Sequence, residues 1–138
     1  MASTLHLKSL EIALDAVLAL GTLKLYPMAT TFTPDAGTDQ YFSDISAEVA
    51  SGAAGVTLTG VVTTIDTVNN RVELDTDNAT TGTITTTTNK YALVVDTGVA
   101  STSPVLATID LVEGTVSTVS GTITFTVNTE GHFALKAV

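Results

Sequence analysis

GVTLTGVVTTIDTVNNRVELD, residues 55–75, is the stretch whose reading decides the fold. Two strand-like runs flank the dipeptide Asn69–Asn70, and asparagine tolerates positive φ better than any residue but glycine. A two-residue primed turn is therefore predicted there, joining two antiparallel strands in a hairpin over 55–75. Before the turn, Val56, Leu58, Val62 and Thr64 share one face, and Val61, Thr63 and Ile65 share the other. After it, Val72 and Leu74 alternate with Arg71, Glu73 and Asp75, the pattern of a half-buried strand.

Similar runs follow. Tyr91–Asp96 places Tyr91, Leu93 and Val95 on one face, and 104–112 aligns Val105, Ala107, Ile109 and Leu111. Residues 121–128 alternate Ile123, Phe125 and Val127 with threonine and asparagine; after an Asn-Thr-Glu-Gly turn, Phe133, Leu135 and Ala137 form the expected hairpin partner. With Thr22–Met28, where Pro27 points to a sheet edge or a strand end, the chain holds about seven short strands. That number and spacing predict one mainly β domain over 1–138, an antiparallel β-sandwich or barrel.

One helix precedes the strands. Leu7, Leu10, Leu14, Val17 and Leu18 form a single stripe, so an amphipathic helix is predicted over 3–20, covering the sheet. Ser3 or Thr4 suits its N-cap, and Gly21 suits a left-handed residue after its end. Leu5, Ile12 and Leu20 lie off the stripe; they either widen the buried face or dock on another chain.

The segment from Thr30 to Ser43 has no period and reads as a long loop. It carries Phe32, Tyr41 and Phe42 out of only seven aromatics in the protein. Concentration on a loop suits either a contact surface or a strap tucked onto the core. A short helical turn capped by Ser43 or Asp44 is expected after it.

Composition narrows the functional classes. Hydrophobic residues make up 44% of the 138, which a disordered chain does not reach. Threonine, about a fifth of the chain, favours extended backbone and keeps outward faces soluble without charge. The net charge of −9 and five scattered basic residues argue against nucleic acid and anionic membrane as partners. With no cysteine there is no disulfide, thiolate metal site or thiol nucleophile. His6, Lys8, Glu11 and Asp15 interrupt the N-terminal apolar run, so neither a signal peptide nor a membrane span is expected.

Chemistry is sparse. No pattern joins His6 or His132 to a serine or carboxylate, and no phosphate cradle or nucleophile elbow is present. Asp75, Asp77 and Asn78 begin like a calcium loop, but no glutamate closes it, and a polar turn is the simpler reading. The expectation is a protein that is not an enzyme, with no catalytic residues, metal or cofactor.

Four stretches resemble a known family: LHLKSLEIAL near the start, LKLYPMATTFTPDAGTDQYFSDISAEV, GVTLTG with the hairpin, and GTITFTVNTEGHFAL. They resemble small structural proteins of tailed bacteriophages, in which a helix, a strand and a loop ending Tyr-x-Ser-Asp-Ile follow one another. Here that motif is Tyr41, Phe42, Ser43, Asp44 and Ile45. The chain departs from the pattern at 79–90, where threonine replaces aromatic-rich middle strands. The resemblance implies a decoration or cement protein on the outside of the capsid, made in the host cytoplasm. It implies the major capsid protein as partner and a homo-oligomer, by analogy a trimer. The aromatic cluster on the Thr30–Ser43 loop and the excess apolar surface then point to that loop and the helix face as the contact, with Phe32, Tyr41, Phe42 and Asp44 as the expected contact residues. A tail-tube or neck protein is the alternative, and a β-sandwich adhesion module a further one.

Overall fold

A computed structural model describes residues 6–51, 53–85, 87–110, 116–117, 121–127 and 131–136. In chain order these form helix α1 (Leu7–Leu18), strand β1 (Thr22–Met28), a one-turn helix α2 (Phe42–Ile45), and strands β2 (Val56–Thr57), β3 (Val62–Asp66) and β4 (Arg71–Asp75). There follow β5 (Ala79–Thr80), β6 (Thr87–Thr88), β7 (Lys90–Asp96), β8 (Val105–Asp110), β9 (Val116–Ser117), β10 (Thr124–Phe125) and β11 (Phe133–Lys136). The fold is mainly β and antiparallel, with the helix at its N-terminal side. A four-stranded sheet runs β2-β1-β7-β8, a three-stranded one β11-β4-β3, and β10-β5 and β6-β9 are short pairs. Among the described residues these sheets do not close into a sandwich or barrel.

The helix buries the predicted stripe. Leu14 is buried, and Leu7, Leu10, Val17 and Leu18 pack against the main core. Full burial of a leucine contributes about 1.5–3 kcal/mol, so this stripe fastens the helix. The helix starts later than expected, at Leu7 with His6 as an extended N-cap; Ser3, Thr4 and Leu5 lie outside the described residues. Gly21 is not left-handed. A Cβ there would sit 2.2 Å from the Asp96 carbonyl oxygen, so glycine is needed for close approach to β7.

β1 is interior rather than an edge, because β2 and β7 flank it. Pro27 survives there by its orientation. The Leu23 and Pro27 carbonyls accept from Leu58 and Ala50 N–H groups on the β2 side. Alternate residues bond to alternate sides, so the missing N–H of Pro27 faces away from the β1–β7 ladder.

β7 is the axis of the molecule, buried on both faces. Tyr91, Leu93 and Val95 meet the main core with Leu23, Leu25, Val72 and Leu74. Ala92 and Val94 meet a second core of Met28, Phe32 and Ile45. A bulge at Leu106 sets β8 in place: Leu93 pairs with Ala107 and Val94 with Val105. Leu106 and Ile109 therefore serve the main core and Val105 the second, against the single aligned face expected; Leu111 lies outside the described residues.

The 55–75 hairpin is shorter than predicted. Gly60 is left-handed (φ 62°) and breaks the first arm, so β2 pairs with β1 while β3 pairs with β4. The break shifts the phase: Val62 is exposed, and Thr63 and Ile65 lie opposite the buried Leu74 and Val72. The turn has four residues, 67–70, between paired Asp66 and Arg71, and only Asn70 is left-handed (φ 55°). The Asp66 carboxylate organises it, accepting from Val68 N–H (3.0 Å), Asn69 N–H (3.1 Å), the Asn69 amide (2.6 Å) and Arg71 Nε (3.2 Å).

The expected closing hairpin is also replaced. β11 pairs with β4, and β10 pairs with β5, while residues 128–130 and Ala137 lie outside the described residues. Nor are all threonines outward. Thr76, Thr81 and Thr88 are buried with their hydroxyls bonded, as buried polar groups require.

Candidate interaction surface

The expected contact residues separate into layers. Phe32 is only 4% exposed and lies in the second core, so its assignment to a contact surface is corrected. The loop is drawn inward by Phe32 and held there by Lys90, whose ammonium donates to the Phe32 carbonyl at 2.6 Å. Phe42 is half-buried and stacks on Tyr26, ring centroids 4.3 Å apart.

Tyr41 and Asp44 remain at the surface, where Asp44 has a local duty. Its carboxylate accepts the Tyr41 N–H at 2.8 Å, and its own N–H donates to the Tyr41 carbonyl at 2.9 Å, closing the first turn of α2. Phe42 N–H donates to the Ser103 carbonyl at 2.8 Å, and Tyr41 bridges Pro104. These bonds fix the Tyr41 backbone at the end of the four-stranded sheet where β8 begins.

Two further apolar side chains share that end. Leu20 lies two residues before β1, whose first residue Thr22 pairs with Asp96, the last of β7. Val99 lies three residues beyond Asp96 on the β7–β8 connection. Leu20 is 59% exposed, Val99 57% and Tyr41 43%. Leu20 carried a signal in its position off the helix stripe. Val99 carried none, since an isolated valine in a Gly-Val-Ala-Ser turn has no periodic context.

The electrostatics of this end are settled internally. Lys24 Nζ lies 2.6 Å from Asp96 Oδ2, and Asp96 also accepts Gly98 N–H at 2.8 Å. Chiefly through the Lys24 bond, the Asp96 carboxyl is held below the usual carboxylate range and the Lys24 ammonium above the usual lysine one. The apolar residues therefore sit beside a neutralised pair rather than a free charge.

Elsewhere the polar groups serve the fold. A groove of about 440 Å³ lies between Pro34–Gln40 and β8, but its two acids are committed to their own loop. Asp39 accepts Asp35 N–H (2.7 Å), and Asp35 accepts Gly37 N–H (2.8 Å). The polar turn after β4 is similar. Asp75 accepts Thr76 N–H, Asp77 the Thr59 hydroxyl, and Asn78 the Val127 N–H. Among the described residues, no three His, Cys, Asp or Glu side chains gather as a metal site, and no helix is long and apolar enough to cross a membrane.

His132 was missed as a structural centre. It joins Thr76 (Nε2 to Oγ1, 2.8 Å) and Tyr91 (Nδ1 to the hydroxyl, 3.1 Å), with Phe125 edge-on to Tyr91. No sequence spacing links 76, 91 and 132, and only the pairing of β11 with β4 brings them together.

No protein-family model matches this chain, and no curated protein or solved structure is significantly similar to it.

Proposed function

We propose that this is a non-enzymatic structural protein of a tailed-phage virion, bound to the outside of the capsid as a decoration subunit. The carrying observation is the exposed apolar end of the four-stranded sheet, where Leu20, Tyr41 and Val99 project from well-anchored backbone. Anchored apolar side chains lose little freedom on docking, so most of their burial energy goes into association. The resemblance of the Tyr41–Ile45 segment and its flanking stretches to such proteins supplies the identity of the partner, the major capsid protein. A trimer is the assembly proposed, since oligomerisation repeats a small contact and raises avidity without enlarging it. The net charge of −9 favours a capsid surface that is basic or weakly charged at the contact.

The test uses heads of the cognate phage assembled without this protein. Purified chain is added, free protein is removed by sedimentation, and the particles are imaged. Saturable density at symmetric sites on the shell is expected, and the Leu20→Asp/Val99→Asp variant is expected to lose it while retaining its thermal midpoint. Absence of binding, density confined to the neck or tail, or full occupancy by that variant would overturn the proposal.

A further inference from the structure

The hydrogen bonds around His132 determine its protonation state. Thr76 has one hydroxyl hydrogen and donates it to the Asp77 carbonyl at 2.9 Å. Its oxygen must therefore accept from His132 Nε2, 2.8 Å away, which places the ring proton on Nε2. Nδ1 of the neutral ring is then the acceptor for the Tyr91 hydroxyl at 3.1 Å. Each group in the chain Tyr91–His132–Thr76–Asp77 is satisfied in one direction only.

This arrangement joins separate elements. The His132 N–H donates to the Leu74 carbonyl at 2.8 Å, immediately before β11 pairs with β4. Its ring reaches Thr76 beyond β4 and Tyr91 on β7, and so ties the three-stranded sheet to the four-stranded one. Gly131 sets the approach, with φ 76° and a position where a Cβ would stand 2.2 Å from the Leu74 carbonyl oxygen.

We propose that His132 is a pH-sensitive latch: neutral, it fastens β11 across Thr76 and Tyr91; protonated, it releases that strand. A proton on Nδ1 would face the Tyr91 hydroxyl, which would have to turn its own hydrogen away. Its hydrogen bond to His132 Nδ1 would be lost. The ring would also carry a charge where Thr76 and Tyr91 are buried. The charged or titratable groups facing it are Asp75 and Tyr91. Asp75 favours the charged ring, but burial outweighs it and lowers the His132 pKa below the usual histidine value. Burial pushes the Tyr91 phenol up to about 12, so it stays protonated throughout the acid range.

The sign follows. A histidine whose folded pKa is depressed contributes stability above its unfolded value, about 6.5. That contribution is lost as pH falls from there towards the folded value.

The test is nitrogen NMR of the imidazole, together with amide protection factors for 133–136, from pH 7.5 to 5 on the full chain. The Nε2–H tautomer is expected. Protection of β11 should fall by up to roughly tenfold per pH unit below 6.5, while the β1–β7 ladder holds. In His132→Gln the fall should vanish, and in Tyr91→Phe the His132 midpoint should move up towards 6.5. An Nδ1–H tautomer, or His132→Gln retaining the pH dependence, overturns the latch. If His132→Gln does not fold, Tyr91→Phe decides: an unmoved midpoint overturns it.

Discussion

Replacing Phe32 by alanine separates the two roles that an aromatic on a loop can have. The side chain is 4% exposed and packs in the second core with Met28, Ile45, Ala92 and Val94, three of which are fully buried apolar residues of the sheet. The backbone carbonyl that receives Lys90 survives the substitution, so the change removes side-chain packing alone. Deleting a buried phenylalanine costs about 3–5 kcal/mol, through lost transfer energy and the cavity left behind. For 138 residues, a loss of that size lowers the thermal midpoint by roughly 10–15 °C. Tyr41→Ala is the internal control, since its ring is 43% exposed and surface changes typically stay within about 0.5 kcal/mol. The assay is urea unfolding followed by circular dichroism, with equal slopes required for the comparison. A Phe32→Ala loss below about 1 kcal/mol, or a Tyr41→Ala loss equal to it, would refute the assignment of Phe32 to the core.

Thr88→Val removes a hydroxyl at full burial while keeping the shape. That hydroxyl has one hydrogen to donate, with the Met28 carbonyl (2.5 Å) and the Lys90 carbonyl (2.9 Å) both in reach, so urea unfolding should register a loss of about 1–3 kcal/mol. Asp66 is held below the usual carboxylate range, first by the Asn69 side chain and then by backbone N–H groups and Arg71. Its contribution is present above the unfolded carboxyl pKa of about 3.9 and is lost as pH falls through the folded value. The urea midpoints of wild type and Asp66→Asn should therefore differ by a constant amount above pH 5 and converge below about pH 4.

The legible parts of this fold were those with an unbroken local period. The α1 stripe kept its 3.6-residue repeat from Leu7 to Leu18, and its predicted residues are those that meet the core. The run 56–66 looked equally regular, yet a left-handed Gly60 resets a two-residue period, so Val62 exchanged faces. Strand partners were out of reach for another reason. Residues 121–127 and 133–136 each read as a half-buried strand, and alternation says that a strand has a partner without naming it. The His132 cluster depended on that choice, because it exists only when β11 lies on β4.

The candidate surface was half legible, and the missing half had a signal in a different segment. Residues 91–95 are apolar at every position, which is the mark of a strand covered on both faces rather than one. Counting only Tyr91, Leu93 and Val95 left Ala92 and Val94 facing nothing. Their small size calls for a bulky cover from elsewhere in the chain, and the 30–49 segment supplies Phe32 and Ile45. Of the aromatics on the loop, one is therefore consumed by β7, and Phe42 is partly consumed by Tyr26. Tyr41 stays at the surface, 43% exposed, with its backbone held on both sides, by Asp44 and by the bridge to Pro104. Whether an aromatic on this loop is buried or exposed is decided by the second face of β7, and not by the loop.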